Sequence, residues 1–484
     1  MSLLKDPPQP KNAPETTDTE TTGTDGARSA DAKRGSGLFR AFWRWHFYAS
    51  FIVIPTVLVL ALTGLVYLFR FQIEPAVHQD LMRVTAPADP VFVAYDEQLA
   101  AVAAARPDDT VVSMAEPAAP DHSTRFTVST PDEATRDVFV DPYTGKVLGA
   151  LDPDSTISGT AVRIHADLMA GRVGDFVLEL GACWAIVMAI TGYYLFFRGW
   201  RARRRLAKKD AATARLRSGH AWTGTFIGVG LLMLVVSGLP WTGIWGAQAQ
   251  KVAAGAGTSF WSEDHGALSN PTSTLDESLP HSHGVVPWAQ EQSEVPQSSR
   301  DPERSVANLD TAVAVGEREG LTHPMTVILP SEQTGVFSTI GYAFNEPTAE
   351  RTVHVDRFGG TVVSQYGYED HGTLAKAVTH GIALHEGRHF GTVNMVMTTL
   401  FCLAVIASCI TGPLMWWRRR PKGGATLGAP RGRMPVLATP ALGVALLVLC
   451  VVLPVFGASV IVILVAERLL RRSDRARQFF AIST

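Results

Sequence analysis

A chain of 484 residues, 46% hydrophobic and 18% charged, with a formal net charge of −2 and a slightly positive mean hydropathy, is long enough for several domains and reads as a polytopic membrane protein. Its four cysteines, Cys183, Cys402, Cys409 and Cys450, all fall inside apolar runs, which excludes a disulfide framework or a thiolate-held cluster. No G-x-G-x-x-G opens a strand-turn-helix unit, so no nicotinamide or flavin domain is encoded.

In chain order, residues 1–37 are rich in Pro, Thr, Asp, Ala and Gly and read as a disordered tail. The apolar run at 43–70 is too long for a signal-peptide core and serves as a membrane anchor. Further spans are expected at 174–198, 219–245 and 391–417. Basic residues gather before the first span (Lys33, Arg34, Arg40, Arg44), in the loop 199–218 (Arg201, Arg203, Arg204, Arg205, Lys208, Lys209, Arg215, Arg217) and after the fourth span (Arg418, Arg419, Arg420, Lys422). By the positive-inside rule these stretches, and the N-terminus with them, are cytoplasmic. The long connections 71–173 and 246–390 carry 16 acidic against 7 basic residues and 18 against 8, and so belong outside.

Each connection holds a small α+β module. In the first, a helix near 96–105 precedes the hairpin pattern Val138-Phe139-Val140-Asp141-Pro142-Tyr143-Thr144-Gly145-Lys146-Val147. The second repeats this with a helix near 309–319 and the pattern Val353-His354-Val355-Asp356-Arg357-Phe358-Gly359-Gly360-Thr361-Val362, placing the module at 304–390. Between them, 246–303 is a flexible insert rich in Ser, Pro, Gln and Glu, whose His281 and His283 read as solvated. Beyond the spans, the apolar stretch 434–466 is interrupted at Leu453-Pro454-Val455-Phe456-Gly457 and flanked by Arg468, Arg471, Arg472, Arg475 and Arg477. A short, shallow hairpin turning at 454–457 keeps both flanks cytoplasmic. The expected fold is therefore a mainly α-helical polytopic membrane protein: a duplicated helix-pair core of four spans, two outer α+β modules and a C-terminal apolar hairpin.

The duplication is arithmetic. His46 precedes Gly64 by 18 residues and His220 precedes Gly238 by 18, while His165 precedes Gly192 by 27 and His385 precedes Gly412 by 27. Eighteen residues of helix cover about 27 Å, close to the hydrocarbon thickness. That places His46 and His220 at the cytoplasmic edge and His165 and His385 at the outer edge. A lone histidine there is most often an interfacial side chain, but four at duplicated positions suggest ligands. Two imidazoles fill both axial positions of a haem, which suits electron transfer rather than oxygen binding. Pairing His46 with His220 and His165 with His385 puts one haem b near each face. Small residues one turn on, Ser50 and Gly224, with Gly228 beyond, could admit a flat macrocycle or let helices approach. The pairs Thr63-Gly64, Thr191-Gly192, Ser237-Gly238 and Thr411-Gly412 read first as helix-packing residues and here as repeat markers. His380, five residues before His385, is an alternative ligand.

A rival motif overlaps. His385-Glu386-Gly387-Arg388-His389 matches H-E-x-x-H, which on a helix presents two imidazoles to zinc with the glutamate as general base of a metalloprotease. The matching stretch of the first repeat, His165-Ala166-Asp167-Leu168-Met169-Ala170-Gly171-Arg172, shares only the first histidine and the Gly-Arg, so the common element is His385 and not the zinc pair. A third reading is a non-catalytic scaffold or regulator.

The chain resembles the PepSY-associated transmembrane proteins. The resemblance rests on Trp45-His46-Phe47-Tyr48 entering the first span, Thr63-Gly64-Leu65, the Val140-Asp141-Pro142-Tyr143-Thr144-Gly145 hairpin, Leu384-His385-Glu386-Gly387-Arg388, and Thr411-Gly412 with Trp416-Trp417-Arg418. It covers about 40–420. The resemblance implies PepSY-like modules, location in the cytoplasmic (inner) membrane, and a link to iron acquisition, some members being similar to haem-containing ferric-siderophore reductases. It implies that His46, His220, His165 and His385 hold the haems and that a ferric siderophore or other ferric chelate is the partner outside; with no nicotinamide or flavin domain encoded, the donor is external, either quinol or a separate reductase. The second hairpin departs from the usual pattern, with Arg357-Phe358-Gly359 where Pro-aromatic-Thr is expected. No nucleic-acid partner is expected.

Overall fold

The computed structural model describes residues 22–207, 210–249, 286–291, 293–298, 304–420, 426–429, 440–480 and 482. Residues 1–21, most of the insert with His281 and His283, Lys208, Lys209, Lys422 and 434–439 lie outside the described residues.

Four helices are long and apolar enough to cross a membrane: α1 (Thr22–Leu68), α6 (Gly171–Ala207), α7 (Ala211–Gly238) and α10 (Gly391–Arg419). Their outward faces carry Phe226 (76% exposed), Val229, Val393 and Leu400, an apolar belt that a bilayer covers and water would not tolerate. The spans come where expected, with one correction at the start. α1 begins at Thr22, so 22–37, expected as part of a loose tail, continue the helix.

Each of α1 and α7 packs against both α6 and α10, so the bundle is a ring in which α1 faces α7 and α6 faces α10 diagonally. Buried Ala49, Val53, Cys183, Ala185, Cys402, Val405 and Cys409 form its interior. The cysteines are packing residues, free and buried except for the half-buried Cys450.

One end of the bundle carries the basic residues and the other a sheet. After α1 come α2 (Arg70–Val77), α3 (Gln79–Met82) and α4 (Tyr95–Ala105), then β1 (Thr110–Ala115), β2 (Thr124–Ser129), β3 (Thr135–Val140), β4 (Val147–Leu151) and α5 (Ile157–Asp167). The second module is α8 (Leu309–Arg318), β5 (Thr326–Ile328), β6 (Phe337–Ile340), β7 (Arg351–Val355), β8 (Val362–Gly367) and α9 (Thr373–His385). Both expected helix-plus-hairpin patterns are present. The modules are fused, however, into one antiparallel sheet ordered β4-β3-β2-β1-β5-β6-β7-β8, joined where Ser113, Met114 and Ala115 pair with Ile328, Val327 and Thr326. Fusion removes two exposed edges and lets α4 and α8 cover one shared core of Val102, Met114, Phe126, Leu309, Met325 and Val353. Across the seam, Glu116 accepts hydrogen bonds from Met325 N (2.7 Å), His323 Nδ1 (2.6 Å) and Tyr95 Oη (3.0 Å), and Asp310 caps the first turn of α4.

Two further readings are corrected. Residues 286–298 of the insert are not loose where described: Val286 packs with Ile328 and Ile340, and Ser298 bonds Gly335 O. Their apolar residues give them something to bury. The C-terminal stretch is a helix pair, α11 (Pro440–Val452) and α12 (Pro454–Leu470), followed by α13 (Asp474–Phe479). Its break falls at Leu453, and its tip is deep rather than shallow. Phe456 packs on Trp184 in the middle of α6 and Trp245 Nε1 donates to Val452 O, while Phe480 O returns to Arg44 and Tyr48 at the basic end of α1.

Candidate functional site

His165 and His385 sit in the last turns of short helices and His46 and His220 inside long ones, and each is gripped by a neighbouring helix. At the basic end, His46 of α1 donates from Nδ1 to Thr191 Oγ1 (3.2 Å) and Met188 O (3.1 Å) of α6, and His220 of α7 donates to Thr411 Oγ1 (3.2 Å) of α10. At the sheet end, His165 of α5 donates to Thr63 Oγ1 (2.8 Å) of α1, and His385 of α9 to Ser237 Oγ (3.0 Å) of α7.

The direction of these bonds fixes the tautomer. Each hydroxyl already donates its own proton to a carbonyl of its helix, Thr63 to Val59 O, Thr191 to Val187 O, Thr411 to Ala407 O and Ser237 to Leu234 O. Its oxygen is left as an acceptor. A backbone carbonyl, Met188 O, which can only accept, also faces the Nδ1 of His46. The proton therefore resides on Nδ1, and Nε2, which bonds no described residue, presents a bare lone pair.

The glycines explain the rest of the grip. A β-carbon placed on Gly192 would lie 3.3 Å from His46 Cε1; on Gly238, 3.5 Å from His385 Cε1; on Gly64, 3.7 Å from His165 Cε1; and on Gly412, 3.8 Å from His220 Cε1. Hydroxyl and glycine act together: one holds Nδ1, and the other makes room for the adjoining ring edge. Sequence spacing had marked these pairs only as repeat landmarks. The missed signal was that every such pair lies at the same end of the bundle as a histidine of another helix.

One of the two pairs is in direct contact. At the sheet end, His165 and His385 have ring centres 6.2 Å apart with planes at 82°, and Trp241 sets its edge 6.3 Å from His385. One turn after His220, Gly224 faces open space, whereas Gly228 is closed by Tyr193. Burial pushes His385 down to about 4, and burial followed by the field of His385 does the same to His165, so both are neutral imidazoles at physiological pH.

The helices end where these rings need them to. α5 stops through left-handed Leu168 and Met169, a conformation that costs non-glycine residues on the order of 1–3 kcal/mol each and holds the corner behind His165. α9 stops at His385, and Gly387 at φ +72° reverses the chain. H-E-x-x-H is therefore not on one helical face. His385 turns to Ser237 and His165, His389 turns to His380, and Glu386 pairs with Arg388 (2.6 Å), whose guanidinium also bonds Phe344 O. No group of three His, Cys, Asp or Glu converges as a metal site among the described residues. His380, the alternative ligand, has its Nε2 2.9 Å from Tyr368 Oη.

Near this corner Glu350 is buried just ahead of β7, and burial pushes its carboxyl up to about 8 against the pull of Arg388. The unfolded chain releases that proton near 4.5. Between those values only the folded protein keeps it, so stability falls as pH rises through the window and levels off above. Thermal melts at pH 5 and pH 8 should show this slope, and Glu350→Gln should flatten it and raise the melting temperature at pH 8.

Comparison with curated proteins finds no match. Residues 43–419, which contain all four histidines and both modules, match the PepSY-associated TM region; the chain belongs to that family and is a multi-pass membrane protein.

Proposed function

We propose that the protein holds two b-type haems, one between His46 and His220 at the basic end and one between His165 and His385 at the sheet end, and reduces a ferric chelate, such as a ferric siderophore, beside the sheet. The reading places the protein in the cytoplasmic membrane with its N-terminus and basic end inside. The observation that carries it is the repeated grip, four imidazoles held by Nδ1 with Nε2 bare. Protein-held metal-ligating histidines are oriented in this way. The spacing at the sheet end fits as well: two imidazoles that would hold one iron at about 2 Å each have ring centres about 6 Å apart.

Bound there, held by His46 with His220 and His165 with His385, haem would supply a one-electron Fe(III)/Fe(II) couple. The chain's own part is to fix ring orientation and tautomer, exclude water with the packed bundle, and present the outer pair beside the sheet. One electron converts each ferric ion to ferrous, which hard oxygen ligands hold less well. A two-electron donor on the basic side, quinol or a separate reductase, serves two ferric ions.

The test uses protein in sealed vesicles with reductant inside, a ferric chelate outside, and a ferrous-specific chromogen as the readout. Purified protein should show the paired-imidazole haem spectrum, sharpening on reduction. Colourless protein from haem-replete cells would sink the proposal. Thr63→Val, which keeps the shape and removes the acceptor from His165, should retain the fold while weakening haem retention about tenfold or more, measured by transfer to apomyoglobin.

A further inference from the structure

Beyond the four gripped histidines, a second pair sits on the sheet side of the bundle. After α9 ends, Arg388 N and His389 N both bond back to Ala383 O (3.0 and 3.2 Å), and left-handed Gly387 makes this reversal possible. The turn lays the His389 ring against His380, ring centres 5.0 Å apart and tilted by 49°. His380 Nε2 is taken by Tyr368 Oη, whose ring also carries Lys376 Nζ at 5.0 Å. The Nδ1 atoms of both His380 and His389 are buried and have no hydrogen-bond partner among the described residues. Two buried unpaired ring nitrogens side by side are costly, and a shared occupant relieves both at once.

We propose that His380 and His389 bind a divalent transition-metal ion through imidazole nitrogen, with Tyr368 orienting His380, and that this is where ferrous iron passes after reduction. The metal site stands on its own geometry; only its assignment to ferrous iron rests on the function proposed above. Imidazole favours borderline ions such as Fe(II) and Zn(II) over Mg(II) or Ca(II). Two protein donors leave most coordination positions to water or chelate oxygens, as suits an ion in transit rather than a resident one. His380 lies five residues from His385, a rise of about 7.5 Å along α9, so the ion would sit beside the outer histidine pair and outside the bundle. Loading the site exchanges water or chelate oxygens on Fe(II) for two nitrogens and moves no electron.

Equilibrium dialysis of full-length, haem-loaded protein against Zn(II), and anaerobically against Fe(II), tests this in a His281→Ala/His283→Ala background that removes the insert's histidines. One equivalent should bind saturably. His380→Ala and His389→Gln should each weaken binding at least tenfold, Tyr368→Phe several-fold, and His323→Ala not at all, with haem absorbance unchanged in every case. Absence of saturable binding, or binding unaltered in the His380→Ala/His389→Gln double variant, overturns the site. Metal binding by colourless protein would sink the haem reading alone, and haem-loaded protein that binds no metal would sink this one alone.

Discussion

His165→Ala or His385→Ala is expected to halve the haem content, from two per chain to one, and to abolish ferric-chelate reduction outside the vesicle. In the proposed arrangement each imidazole is one of two donors to one haem, with ring centres 6.2 Å apart, and removing either leaves a single donor where two are needed. The basic-end pair draws its hydrogen bonds from Thr191 and Thr411, which are remote from Thr63 and Ser237, so its haem should remain. His46→Ala and His220→Ala should show the reverse, with the sheet-end haem retained but no longer reducible from the basic side. Combining His46→Ala with His385→Ala should remove both. Haem quantified per polypeptide as the pyridine complex reads the result directly. Equal loss of both haems from every single variant would show that the two sites do not fold independently.

The features that could be read from sequence are those that depend on spacing along one chain segment. Helix length carries the membrane spans, and the separation of His46 from Gly64 survives as a repeat in His220 and Gly238 because both copies must cross the same thickness. The hairpins at Asp141 and Asp356 announce themselves through local turn chemistry. What could not be read depends on contacts between distant segments. Ser113 and Ile328 pair across the two modules with nothing local to signal it, and Phe456 finds Trp184 through shape alone. H-E-x-x-H misleads for a local reason: Gly387 adopts a left-handed backbone that ends the helix between the two histidines. The grip of Thr or Ser on histidine lay in plain view but crossed over, since Thr63 serves His165 and Thr191 serves His46. A repeat-by-repeat reading assigns each hydroxyl to its own histidine, at the wrong end of the helix.

Because the grip has two halves, breaking the glycine half should be the more damaging. Gly192→Val is expected to remove the basic-end haem. Its β-carbon alone would stand 3.3 Å from His46 Cε1, tighter than ordinary contact, and the two γ-methyl groups would push the imidazole off Thr191 Oγ1 and Met188 O. An overpacked interior costs about 1–3 kcal/mol, and here the strain falls on the one ring whose position matters. Gly412→Ala, with 3.8 Å of room beside His220, should be nearly silent, and Gly219→Val, where nothing lies within 4 Å, fully so. In an alanine series haem loss should be confined to Gly192, the one clearance tighter than ordinary contact, with Gly238, Gly64 and Gly412 nearly silent. If these glycines served only helix packing, the loss would instead track helix–helix contact: Gly181, whose β-carbon would meet the Thr56 side chain at 2.4 Å, and Gly230, at 2.6 Å from Phe401, would be the damaging positions, and haem content would fall only with the fold.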